Sequence, residues 1–190
     1  MSGNKARTAV VLASVLVTLA LTSSVTAFDG QRKGFVLGGG IGFAPRVAWS
    51  VSSLNETKTA FAGQILIGYG WNRSNIIVWD INPTIFNSDL VNRLHGGAKN
   101  RVGQVFDGIA WYHYFGENYR GVFATAAFGR YRFFYQSAGD TQGPAIRVGA
   151  GYEIVKQIQL GMYFSTGRTS NSGYTYHREQ LTILATGLLY

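Results

Sequence analysis

The sequence predicts an all-β chain: an eight-stranded antiparallel up-and-down transmembrane β-barrel, preceded by a signal peptide. Three observations lead there. Side chains alternate with period two in eight separate segments, as strands with two unlike faces do. The links between those segments alternate short and long. Charged residues make up only 14% of the chain, against roughly 25% in soluble domains, so water does not cover the whole surface.

The opening stretch, MSGNKARTAVVLASVLVTLALTSSVTA, carries Lys5 and Arg7 before an apolar run from about Ala9 to Leu21. Small residues follow, ending at Ala27. That is the order of a cleavable secretory signal. The run falls short of the roughly 20 residues a membrane-spanning helix needs. The expected division is 1–27 for the signal and 28–190 for the barrel. No later segment is apolar enough for a spanning helix, so a membrane form has to be a closed barrel.

The first barrel segment, FVLGGGIGF, sets Phe35, Leu37, Ile41 and Phe43 against Val36, Gly38, Gly40 and Gly42. The second sets Phe61, Ile65, Ile67, Tyr69 and Trp71 against Gln64, Leu66, Gly68 and Gly70. The third sets Ile77, Trp79 and Ile81 against Val78, Asp80 and Asn82. In the fourth, Phe106, Ala110, Tyr112 and Tyr114 oppose Asp107, Ile109, Trp111 and His113. In the fifth, Phe123, Ala127, Tyr131 and Phe133 oppose Arg120, Val122, Ala124, Arg130 and Arg132. The sixth sets Ile146, Val148, Ala150, Tyr152 and Ile154 against Arg147, Gly149, Gly151 and Glu153. The seventh sets Ile158, Leu160, Met162 and Phe164 against Gln159, Gly161 and Tyr163. The eighth sets Leu184, Leu188 and Tyr190 against Ile183, Ala185 and Gly187.

Short links fall at NRSN, GEN and VKQ; the other four connections are longer. Short turns at one end and long loops at the other describe a meander that closes as a barrel. In the second long loop, Ser88 is placed to cap one helical turn that Gly96 ends.

The less apolar face is rich in Gly, which suits a narrow lumen and makes a poor solvated exterior. The first-named face of each segment is therefore expected to touch lipid. On that assignment Tyr69, Trp71, Tyr112, Tyr114, Tyr152 and Tyr190 form an outward girdle at the short-turn end, since Tyr and Trp favour the headgroup zone.

With GFVLGGGIGF, GYGWN, GAGYEI and the terminal Tyr190 in view, the chain resembles the small outer-membrane β-barrel proteins of Gram-negative bacteria, the superfamily with the barrel domain of outer membrane protein A. The resemblance implies an outer-membrane location. It also implies that the last strand, through Leu184, Leu188 and Tyr190, is the signal read by the barrel-assembly machinery.

On the expected faces, Asp80, Asp107, His113, Arg120, Arg130, Arg132, Arg147 and Glu153 form an ion network in the lumen, pairing because unpaired buried charge is costly. Arg46, Lys58, Arg93, Lys99, Arg101, Arg168 and Arg178 fall in or beside the long loops. Of these, Arg93, Lys99 and Arg101 are candidate contacts for lipopolysaccharide phosphates. The net charge of +8 has no like-charged run, so a nucleic-acid arm is not expected. The absence of Cys removes thiolate chemistry, and the dispersed His95, His113 and His177 define neither a metal site nor a serine–histidine pair. The expected function is structural or surface-interactive, without enzyme activity or cofactor. A small-solute transport barrel is the first alternative, and a lipid A-modifying enzyme the second.

Overall fold

The computed structural model describes residues 32–51, 54–89, 101–116, 121–135, 138–171 and 174–190. The expected signal peptide lies outside them. Eight strands follow one another: β1 Gly34–Val51, β2 Leu54–Asn72, β3 Asn75–Asn87, β4 Arg101–Tyr114, β5 Gly121–Tyr135, β6 Ala138–Val155, β7 Ile158–Asn171 and β8 Tyr174–Leu189. Each pairs antiparallel with its sequence neighbour. The barrel closes where β1 meets β8, with Leu37 opposite Leu189 and Ser50 opposite His177. Closure leaves no open edge, which hydrocarbon requires.

Alternation along the strands becomes an inside and an outside. Phe35, Ile41 and Phe43 of β1 are exposed, while Val36 is fully buried. On β2 the exposed set runs from Phe61 to Trp71. Ile146, Val148, Tyr152 and Ile154 of β6, and Ile158, Leu160, Met162 and Phe164 of β7, continue the exposed apolar belt around the barrel. At its extremes Phe128 is 70% exposed and Ile41 67%. A continuous apolar surface of this extent does not belong in water. On a closed barrel it is the face that meets acyl chains.

Three strands face the other way from the sequence expectation. On β4, Phe106, Tyr112 and Tyr114 are buried in the lumen, and Ile109 and Trp111 face out. On β5, Phe123, Tyr131 and Phe133 are inside, with Val122 and Phe128 outside. On β8, Leu184, Leu188 and Tyr190 are inside, and Leu189 is outside. An eight-stranded lumen is a packed core, so rings belong there as readily as at the headgroups.

The long loops expected at the second end are largely strand. Only residues 52–53, 136–137 and 172–173 separate β1 from β2, β5 from β6 and β7 from β8. The sheet therefore continues beyond the apolar belt on that side. A register shift between Ala44 and Val47, at Pro45, bends β1 there. The turn expected after Ser88 lies mainly in residues outside those described. The Ser88 hydroxyl itself donates to Glu56 Oε2 at 2.5 Å.

Inward glycines seat the lumen rings. A Cβ on Gly161 would lie 2.5–2.7 Å from the Tyr163 ring and hydroxyl, and one on Gly151 2.5 Å from Phe123 Cζ. A Cβ on outward Gly39 would meet nothing within 4 Å. Gly161→Leu is therefore expected to cost about 1–3 kcal/mol through forced repacking, while Gly39→Ala leaves stability nearly unchanged. Both are read as the temperature at which the folded, fast-migrating species disappears from a heat-modifiability gel.

Candidate functional site

Side chains fill the lumen in layers. At the end bearing the short turns, Arg32 precedes β1 and is buried with φ 47°. Its guanidinium binds the Glu153 carboxylate of β6, donates to the Arg73 carbonyl at 3.0 Å, and stacks 4.0 Å from the Tyr114 ring centroid. Glu153 Oε1 also accepts from the Tyr190 hydroxyl at 2.6 Å and the Gln157 backbone N–H at 3.1 Å. This cluster ties the segment before β1, the end of β8 and the β6–β7 turn into a floor.

In the middle, Arg147 Nη1 donates to Asp80 Oδ2 at 2.5 Å, and both side chains are 1% exposed. The Tyr112 hydroxyl donates to the same oxygen at 3.1 Å, and Gln64 Nε2 reaches both Asp80 oxygens at 3.2 Å. Thr186 of β8 donates to Gln64 Oε1 at 2.9 Å, and Arg147 stacks 4.1 Å from the Tyr163 centroid. Three strands thus converge on one buried carboxylate of β3 with its charge matched, which such a site requires.

Above it, Gln180 Nε2 donates to Asn82 Oδ1 at 2.8 Å, and Gln180 Oε1 accepts from Thr84 and Gln104 at 3.1 and 3.2 Å. Tyr131 and Ser165 share a 2.5 Å hydrogen bond. At the far end Arg178 lies 3.8 Å from the Phe133 centroid, near Trp49 and Tyr176, with its Nε donating to Thr169 at 3.1 Å. Arg178 is therefore a lumen side chain, not the loop charge the sequence suggested. Cation–π contact replaces a carboxylate partner there among the described residues.

The expected lumen ions divide. Asp80, Arg147 and Glu153 point inward. Asp107, Arg130, Arg132 and His113 sit on the outer face, because β4 and β5 are turned over. Asp107 accepts from Trp79 Nε1 at 2.5 Å and pairs with Arg130 at 3.2 Å and Arg132 at 3.0 Å. His113 Nδ1 lies 2.9 Å from Asn75 Oδ1. Arg120 lies outside the described residues. Of the expected girdle, Tyr69, Trp71 and Tyr152 face out, whereas Tyr112, Tyr114 and Tyr190 are lumen groups. Trp111 takes the outward place on β4. Among the candidate lipopolysaccharide contacts, Arg101 is exposed at the start of β4, and Arg93 and Lys99 lie outside the described residues.

Sequence reasoning placed Gln64 and Tyr163 on the lumen face without naming them as site residues, and it missed Arg32, Gln104 and Gln180. One signal marks most of them. Amides and hydroxyls within the belt segments find partners only inside the barrel, so Gln104 on β4 and Thr186 on β8 indicate the lumen face.

No protein-family model matches the chain, and no curated protein matches it. Solved structures do. The chain is similar to neisserial surface protein A, at 12% identity and TM-score 0.53, over 82% of this chain and 96% of that one. It is also similar to Ail, the attachment invasion locus protein of Yersinia pestis, in complex with the heparin analogue sucrose octasulfate. There the identity is 10% and the TM-score 0.51, over 81% of this chain and 99% of that one. The likeness is one of fold: an eight-stranded outer-membrane barrel.

Asp80→Ala removes the counter-charge of buried Arg147 and is expected to cost roughly 3–5 kcal/mol. The double variant Asp80→Leu, Arg147→Met removes both charges and recovers most of that loss. Folded fraction against urea, followed by tryptophan fluorescence in detergent, measures both.

Proposed function

We propose that this chain, a barrel of the Gram-negative outer-membrane type, is a membrane-anchored interaction protein that presents a basic extracellular end to anionic saccharide, lipopolysaccharide foremost. The observation that carries the reading is the filled lumen. Arg32, Glu153 and Tyr114 occupy one end, Arg147 and Asp80 the middle, and Trp49, Phe133 and Arg178 the other. A transport barrel needs a path past these groups, and opening one breaks buried ion pairs. What distinguishes one face of the molecule for a partner therefore lies outside the lumen.

Two features support the anionic partner. Strands continue past the apolar belt and carry exposed Arg101 into the exterior, joined in the sequence by Arg93 and Lys99, while Arg46 and Lys58 there are engaged by Glu179 and by Glu56 and Asp89. Arginine and lysine pair with phosphate or sulfate through charge-assisted hydrogen bonds. The fold neighbour Ail was solved with a sulfated saccharide, which suits this reading.

The non-enzymatic part of the proposal rests on the absence of a hydrogen-bonded serine–histidine pair among the described residues. Ser50 and His177 share a register position, yet no hydrogen bond links them. Glu179, two residues along, is engaged with Arg46 at 3.2 Å.

In planar bilayers the purified barrel is expected to give no stepwise conductance; regular ohmic steps would favour transport instead. Neutralising Arg93, Lys99 and Arg101 together is expected to weaken lipopolysaccharide binding about tenfold, at roughly 0.5 kcal/mol for each charge removed. Unchanged binding of that triple variant on a lipopolysaccharide-coated surface overturns the saccharide reading.

A further inference from the structure

Beyond the extracellular end, the outer wall of the barrel holds a groove with two unlike halves. It spans β5 to β8 with a volume of about 350 Å3, and its walls include Phe128, Ile146, Thr166, Arg168 and His177. Phe128 and Ile146 are the last apolar residues of the belt on β5 and β6, 70% and 53% exposed. Arg168 and His177 lie opposite one another on β7 and β8, just above that edge. The groove therefore straddles the line where acyl chains end and headgroups begin.

Charge accumulates along this edge. Asp107 is shared by Arg130 and Arg132, so that cluster keeps a net positive charge. Arg130 sits opposite Pro144, which also lines the groove, and is half exposed. Glu179, the carboxylate on the β8 side, is bonded to Arg46. Arg168 is exposed and has no ion-pair or hydrogen-bond partner among the described residues. An arginine at the headgroup level, above bare aromatic and aliphatic side chains, matches an amphiphile with a phosphate on top and a chain below.

From this geometry we infer that the β5–β8 groove is a binding site for the phosphate of an outer-leaflet glycolipid such as lipid A, with Arg168 as the phosphate ligand, His177 beside it, and Phe128 and Ile146 against the first acyl chain. A free phosphate or a soluble saccharide leaves the apolar half of the groove uncovered, which commits the site to a lipid. The inference rests on the membrane-anchored reading. It does not depend on saccharide binding at Arg93, Lys99 and Arg101, so the two fail separately.

The test uses the full barrel in detergent and native mass spectrometry with bis-phosphorylated lipid A, dephosphorylated lipid A, and inorganic phosphate as competitor. Arg168→Gln is expected to reduce bound lipid A about tenfold, the loss of one charge-assisted contact. Binding of the dephosphorylated lipid stays unchanged, and Lys33→Gln, an exposed cation at the short-turn end, leaves both lipids unaffected. Thr166→Phe, which fills the groove, gives the loss by a second route, with a heat-modifiability gel verifying that each variant is folded. Equal lipid A retention by folded Arg168→Gln and Thr166→Phe overturns the site. Displacement of lipid A by inorganic phosphate overturns the lipid assignment and leaves an anion site.

Discussion

The structure depends on one constraint: the outer surface offers the backbone no hydrogen-bond partner. Every N–H and C=O in the belt has to be satisfied by a neighbouring strand, and an open sheet leaves two edges unsatisfied. Pairing of β1 with β8 removes both edges. Eight strands closed in this way enclose a lumen that side chains can fill. The rest of the architecture follows from the need to fill it.

Filling it sets two demands that oppose each other. Rings need room, which Gly149, Gly151 and Gly161 supply by carrying no Cβ where Tyr163 and Phe123 lie. Polar groups need partners, which the lumen supplies only from other strands. Asp80 therefore gathers Arg147, Tyr112 and Gln64 from β6, β4 and β2. The Arg147 contact, like that of Gln64 with Thr186 of β8, links strands that are not neighbours in the sheet, and such contacts favour one register over slipped alternatives. They also close the interior, so distinguishing chemistry moves to the wall and the extracellular end.

On the wall, the belt edge sorts charge by depth. Arg130, Arg132, Arg168 and Arg46 stand where each apolar run stops, against two carboxylates, Asp107 and Glu179. An ion pair such as Asp107 with Arg130 is tolerable there because headgroups and water lie within reach, and long arginine side chains extend toward them. The same ions in the mid-belt would meet only hydrocarbon. Charge on a strand thus reports height as much as facing, and this explains why Asp107 and Arg130 are not lumen groups.

Period two, the low charge content and the spacing of the turns were enough, in the amino-acid order alone, to establish eight strands, antiparallel closure and a lipid-facing belt. On β1, β2, β3, β6 and β7 they also established which face is which. There one face is plainly aliphatic and the other plainly glycine or polar, as in Ile146, Val148 and Ile154 against Arg147, Gly149 and Glu153. On β4, β5 and β8 both faces carry apolar residues, and Tyr112, Phe123 and Leu188 suit lumen and lipid equally. Only the assembled barrel decided those three strands, because the decision rests on partners from other strands: Asp80 for Tyr112, Glu153 for Tyr190, Gln64 for Thr186. A strand read singly shows its alternation; the volume and hydrogen bonds waiting on each side exist only once the sheet has closed.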